Sequence, residues 1–195
     1  MTDDELIETF LSAQAAFTAR MHAVGEDQWP LGTPAAQWTV ADLAGHLVDE
    51  HRWAGPLLDG LGMAAAGAAV AARWEPPGRD GPSLVPGWDE AAALSAAAVR
   101  ADGALAGSVE ITRGRAPAVE YLEEMVLDLV IHAWDLGTAI GYSEPLPTAA
   151  VTAIYPLAQA IVDRTPAGMF DPPAEVGADA PLVDRLVALT GRRPR

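Results

Sequence analysis

Residues 118–141 read AVEYLEEMVLDLVIHAWDLGTAIG, and this segment is the strongest indication of the fold in the sequence. Almost every face of it is apolar, which predicts a central helix that begins after Pro117 and ends at Gly141. One stripe, at alternating spacings of four and three residues, is different; it consists of Tyr121, Met125, Asp128, His132, Asp135 and Ala139. A stripe with this spacing normally forms the apolar seam of a helical bundle, yet three consecutive layers carry Asp, His and Asp.

This polar stripe has two interpretations. An ionised carboxylate in the protein interior is costly unless it is paired or bound to a metal, so an internal stripe predicts a binding site. The alternative is an exposed stripe, in which Asp128 and His132 form an ordinary pair four residues apart. The apolar residues on the other faces favour the internal position and therefore a functional site.

A second predicted helix, from Thr39 to about Gly60, carries a similar pattern. Thr39 and Asp42 form a capping-box-like pair at its start. One stripe consists of Leu43, His46, Glu50, Trp53 and Leu57. A competing apolar seam leaves open that His46 is partly exposed; it consists of Val40, Ala44, Leu47, Ala54 and Leu58. His51 lies about 140° around the helix from His46, so the two cannot face one site.

The remaining sequence predicts further helices and no strand. The other predicted helices cover residues 4–24, 89–107, 148–164 and 181–190, and an Ala-rich segment covers 63–73. The Pro- and Gly-rich segment 74–87, with Trp74 and Trp88 at its ends, is interpreted either as a solvated connector or as a loop at the mouth of a pocket.

These elements predict an all-α, four-helix bundle. We expect a single domain over residues 1–195, with a core of about 1–165 and a C-terminal extension of about 166–195.

Composition excludes several classes of function. The formal net charge of −15 argues against nucleic acid and anionic membranes as partners. The chain has no Cys, so any thiol chemistry needs an external thiol. No apolar run of transmembrane length is present and the N-terminus is acidic, which predicts a cytoplasmic protein.

If both polar stripes face inward, they supply two imidazoles and at least one carboxylate. Nitrogen and oxygen ligands without thiolate suit Zn²⁺ first, and also Ni²⁺, Mn²⁺ or Fe²⁺. Three protein ligands leave positions for water or substrate, which is the arrangement of a catalytic metal site.

Three segments carry a family resemblance. Residues 38–50, WTVADLAGHLVDE, resemble the second-helix signature of the DinB-like superfamily, and more closely that of the mycothiol-dependent maleylpyruvate isomerase metal-binding domain family. Residues 128–136, DLVIHAWDL, are similar to that family's second metal motif, in which a Glu is usual at the position of Asp128. Residues 179–191, DAPLVDRLVALTG, resemble the ending of its single-domain members.

The resemblance implies a four-helix bundle with a metal held by His46, Asp128 and His132. It implies a thiol-transferase or isomerase-type enzyme, with a low-molecular-weight thiol such as mycothiol as cosubstrate. We expect Glu50, Trp53 and Asp135 to contact substrate or orient the ligands. The alternative function is a non-enzymatic metal-binding or stress-response module. The expected partners are the thiol and a small-molecule substrate, and a homodimer is compatible with the sequence.

Overall fold

The computed structural model describes residues 1–35, 37–75 and 81–194. Its helices are α1 (Asp3–Met21), α2 (Val40–Leu58), α3 (Met63–Arg73), α4 (Leu84–Val99), α5 (Ala118–Ile140), α6 (Thr148–Arg164) and α7 (Leu182–Ala188). The strands β1 (Ser108–Ile111) and β2 (Gly114–Pro117) form one antiparallel hairpin. Within these ranges no helix has both the length and the apolarity needed to cross a membrane.

Four of the helices, α1, α2, α4 and α5, form the predicted bundle. Helix α2 packs along α4, and α1 packs along α5, while α6 lies on α5 and α7 lies on α6. The largest fully buried side chains include Phe10, Phe17, Leu43, Leu47, Trp88, Leu122, Leu129 and Ile131. They come from all four bundle helices, so the apolar stripes of the sequence meet in one core, and the predicted all-α class is confirmed.

The ends of the two central helices follow the sequence signals. Thr39 Oγ1 accepts a hydrogen bond from the Asp42 N–H at 3.1 Å, and Asp42 Oδ2 accepts one from the Thr39 N–H at 3.0 Å. These bonds complete a capping box that begins α2. Gly141 ends α5 with a φ of 71°, a left-handed conformation that glycine adopts without steric cost.

The structure corrects the expectation that the chain has no strand. Residues 108–117 form the β1–β2 hairpin, in which Val109 pairs with Ala116 and both side chains are buried. Each strand has only four residues, which is too short for alternation to be detected in the sequence.

Helix α4 also differs from its predicted range of 89–107, because it runs from Leu84 to Val99. Pro86 lies in its first turn, where the missing N–H has no intrahelical partner to lose, so the proline does not prevent an early start. The helix ends before a series of turns that includes Gly103, whose φ is 74°.

Candidate metal centre and its cavity

Helices α2 and α5 bring three polar side chains to one point inside the bundle. His46 Nε2 lies 3.5 Å from Asp128 Oδ2, and His132 Nε2 lies 3.2 Å from Asp128 Oδ1. One ligand atom from each of the three residues lies within 4.8 Å of the other two. Since metal–nitrogen and metal–oxygen bonds measure about 2.0–2.2 Å, this spacing suits one divalent cation.

His46 reaches this point although α2 also buries the competing seam. Val40, Ala44 and Leu47 are fully buried, while the His46 side chain keeps 26% of its surface exposed. Helix α2 is therefore buried on most faces, and His46 lies on the side that borders a cavity.

Asp128 and the two histidines are strongly coupled in their ionisation. Burial opposes ionisation of Asp128, but His132 and His46 outweigh it and hold the pKa of Asp128 well below its usual range. Burial lowers the pKa of His132, but Asp128 and Asp135 outweigh that effect and raise it to about 9. The pKa of His46 is likewise raised, because attraction to Asp128 exceeds the effect of burial. A metal bound here would displace the protons from the ligand atoms of these side chains, so the affinity for the metal depends on pH.

Asp135 supports His132 from behind and does not line the cavity. Its fully buried carboxylate accepts a hydrogen bond from His132 Nδ1 at 3.0 Å. The same carboxylate accepts one from Arg192 Nη2 at 2.8 Å, and Arg192 Nη1 donates to the Thr190 carbonyl at 3.1 Å. An imidazole that donates through Nδ1 presents Nε2 as a ligand, so Asp135 fixes the orientation that a metal needs.

A cavity of about 570 Å³ opens beside the three candidate ligands, a volume typical of small-molecule sites. Its apolar wall includes Trp38, Ile111, Tyr121, Met125, Met169 and Phe170. Its charged wall comprises Glu50, Arg113, Glu124, Asp171 and Arg192 together with Asp128. The bundle, the hairpin and the C-terminal extension therefore all contribute to one cavity.

Trp38 packs against both imidazoles. Its ring centroid lies 4.9 Å from that of His46 and 5.5 Å from that of His132, and it is nearly parallel to the His132 ring, at 23°. The indole thus covers one side of the candidate centre, in addition to its position next to the α2 cap.

Two other side chains of the cavity are suited to proton transfer or hydrogen bonding. The Glu50 side chain is exposed where it lines the cavity, and partial desolvation by the surrounding protein raises the pKa of its carboxyl group. Tyr121 is almost fully buried, and its hydroxyl group has no hydrogen-bond partner among the described residues. Burial raises the pKa of Tyr121 well above its usual value, so the phenol is a neutral donor.

Trp53, Trp74 and Trp88, which the sequence suggests as possible pocket residues, do not line the cavity. Trp53 does not line the cavity and packs over Gly67 of α3, where an added Cβ would lie 3.0 Å from the indole. Trp88 is fully buried in the core and donates from Nε1 to Thr18 Oγ1 at 2.9 Å. Trp74 Nε1 donates to Glu90 at 2.9 Å.

The segment 74–87 includes residues 76–80, which lie outside the described residues, and no described residue of this segment lines the cavity. Besides α2 and α5, the wall is formed by segments that no motif in the sequence indicates. They are the hairpin residues 111–113 and the extension residues 165–166 and 168–171, with Arg192 beyond them. Because these segments are far from α2 and α5 along the chain, no local sequence pattern indicates that they line the same cavity.

Comparison with known proteins agrees with this architecture. Residues 10–137 match the model of the mycothiol maleylpyruvate isomerase N-terminal domain family. The chain is 30% identical over 187 residues, 94% of its length, to the uncharacterized protein Rv0738 of Mycobacterium tuberculosis strain H37Rv, of which the match covers 95%. The same values hold for the uncharacterized protein MT0763 of strain CDC 1551.

Two solved structures have a similar fold. The crystal structure of the mycothiol-dependent maleylpyruvate isomerase aligns with a TM-score of 0.63 at 16% identity, over 83% of this chain and 70% of that one. A histidine-to-alanine mutant of the mycothiol-dependent maleylpyruvate isomerase aligns with a TM-score of 0.61, with the same identity and coverage.

Proposed function

The chain belongs to the mycothiol maleylpyruvate isomerase N-terminal domain family, and from that premise we propose that it is a metal-dependent enzyme of the thiol-transferase or isomerase type. Its cosubstrate is a low-molecular-weight thiol such as mycothiol. The observation that carries the proposal is the convergence of His46, Asp128 and His132 within 4.8 Å at the wall of a cavity of about 570 Å³.

The donor set fits a divalent metal. Two imidazole nitrogens and one carboxylate oxygen are ligands that Zn²⁺ accepts, and Asp135 behind His132 is the kind of hydrogen-bonded support that ligating histidines have. When bound, such a metal lowers the pKa of a coordinated thiol and holds it as thiolate. The thiol has to come from outside, since the chain contains no Cys.

The remaining residues supply binding and proton transfer in this proposal. Glu50, accessible in the cavity and with a raised pKa, accepts the proton that the thiol loses. Tyr121 offers a neutral hydroxyl to an oxygen of the substrate. Trp38 holds both imidazoles in place and excludes water from that side.

The test combines metal content with thiol binding. We expect the protein purified without a metal-affinity tag to contain one equivalent of divalent metal, and to bind mycothiol in calorimetry only when loaded. His132→Ala should lose both properties. His22→Ala is the matched control, because His22 is half exposed and pairs with Asp89 outside the site.

The same experiment separates the enzyme from a metal-binding module. Metal binding without any thiol binding or thiol-dependent turnover would favour the module. A protein that binds neither metal nor thiol after loading would contradict the proposal altogether.

A further inference from the structure

We propose that the electrophile which this enzyme joins to its thiol carries no negative charge and has an apolar body. The inference rests on the proposed function and concerns the substrate class of the same cavity. It follows from how the charged groups of the cavity wall are already paired.

Both arginines of the described cavity wall are occupied by protein carboxylates. Arg113 Nη2 lies 3.0 Å from Glu120 Oε2 and 2.8 Å from Glu124 Oε1, so one guanidinium is shared by two carboxylates. Arg192 Nη2 lies 2.8 Å from Asp135 Oδ2, and Arg192 Nη1 donates a hydrogen bond to the backbone carbonyl of Thr190. Arg113 Nε is buried and has no hydrogen-bond partner among the described residues. The charge of each guanidinium is nevertheless already balanced by protein carboxylates, so neither arginine offers an unpaired positive charge to a carboxylate on the substrate.

The acidic groups of the wall are in excess. Glu50 and Asp171 line the cavity, and neither contacts an arginine within the described ranges. Asp128 and a thiolate would together balance the charge of a bound divalent metal. Asp171 and the additional negative charge around Arg113 then remain, together with Glu50 once it has passed the thiol proton to water, and these charges repel an anion.

The rest of the wall suits an apolar body. Ile111, Met125, Met169 and Phe170 come from the hairpin, α5 and the extension, and they face one cavity with Tyr121 and Trp38. Flexible thioether side chains and aromatic rings adapt to flat or irregular apolar groups.

Two benzyl chlorides, one with an uncharged and one with an anionic para substituent, provide the test. The thiolate sulfur forms a bond to the benzylic carbon, the carbon–chlorine bond breaks, and chloride leaves with the electron pair. The proton of the thiol passes to Glu50 and then to water. The metal-loaded full chain is assayed with mycothiol and either para-methylbenzyl chloride or para-(chloromethyl)benzoate, each rate being divided by the uncatalysed rate.

We expect the acceleration to be at least tenfold larger for the uncharged chloride. Glu124→Gln removes one cavity carboxylate and one partner of Arg113, and should therefore lower the ratio of the two accelerations, uncharged chloride over benzoate. Glu90→Gln is the matched control and should leave the ratio of the two accelerations unchanged, because Glu90 pairs with Arg73 at 3.5 Å and does not line the cavity. Equal or greater acceleration of the benzoate by the unmodified protein would overturn the inference.

If neither chloride is turned over, that result counts against the proposed enzymatic activity and not against the inferred ligand class. Binding of two unreactive analogues then tests the ligand class. Para-methylbenzyl alcohol and para-(hydroxymethyl)benzoate are then titrated into the metal-loaded protein. Tighter binding of the uncharged alcohol supports the assigned class, whereas tighter binding of the benzoate, or binding of neither probe, overturns it.

Discussion

At the scale of single residues, Asp135 connects the candidate metal centre to the end of the chain. Its carboxylate lies between His132 Nδ1 and the guanidinium of Arg192, and all three groups are buried. Asp135→Asn keeps the shape but leaves Arg192 buried without a counter-charge, which typically costs about 3–5 kcal/mol of unfolding free energy. Metal affinity should fall by about 10–100-fold, because His132 loses its charged support.

A double variant separates the two effects of Asp135. Asp135→Asn combined with Arg192→Met removes the unpaired charge, so the unfolding free energy in urea should partly recover while the metal affinity stays low. If the unfolding free energy and the metal affinity both recovered, Asp135 would affect metal binding only through folding stability.

His51 is the second residue whose substitution has a measurable consequence; it is not a candidate ligand, although it also borders the cavity. Its Nδ1 is 2.7 Å from Ser95 Oγ and 3.3 Å from Gln14 Nε2, in a fully buried network between α1, α2 and α4. Burial lowers the pKa of His51 to about 3, so the folded protein does not take up a proton that the unfolded chain binds below about pH 6.5.

Stability should therefore fall as the pH drops from about 6.5 towards 3, by at most about 1.4 kcal/mol per pH unit from this group. His51→Gln should flatten the profile of unfolding free energy between about pH 6.5 and 5, where the carboxylates contribute least. Parallel profiles for the two proteins would mean that His51 is not the group responsible.

At the scale of elements, the capping box at Thr39 begins α2 directly after Trp38 and seven residues before His46. Thr39→Ala removes the hydroxyl group that accepts the Asp42 N–H and should cost about 1 kcal/mol in urea unfolding. Thr39→Ser keeps the acceptor and should cost much less. Metal content should be the same in both variants, because the buried Leu43 and Leu47 hold α2 in the core. Loss of metal in Thr39→Ala alone would show that the cap itself positions the ligands.

At the scale of the whole molecule, the proposed metal joins α2 to α5 and so links binding to folding. A ligand that binds only the folded state stabilises it by about 2.7 kcal/mol at a free concentration 100 times its dissociation constant. Chelator should therefore lower the melting temperature of the loaded protein, and His132→Ala should show no such response. An unchanged melting curve, for protein known to contain metal beforehand, would contradict a tight site.

The extension after α6 also acts at this scale. Residues 165–166 and 168–171 line the cavity, and Arg192 binds Asp135. Gly191 lies so close to Asp171 that an added Cβ would be 2.4 Å from its side chain. A segment that looks like an appendage in the sequence is thus part of the cavity wall.

The local features of this protein could be predicted from its sequence. The capping pair Thr39–Asp42, the Gly141 stop and the polar stripe through Asp128 and His132 depend on residues a few positions apart, because helical periodicity and capping are local interactions. The bundle follows from the apolar stripes, since each must be buried against another.

Tertiary packing alone decided the rest of the site. The hairpin at Arg113, the extension at Phe170 and the contact of Arg192 with Asp135 join segments far apart in the chain. No periodicity relates such segments, and Trp53, on the same sequence stripe as His46, packs against α3 instead of facing the cavity. A stripe in the sequence defines one side of a helix, but the neighbouring elements determine which part of that side borders solvent, core or cavity.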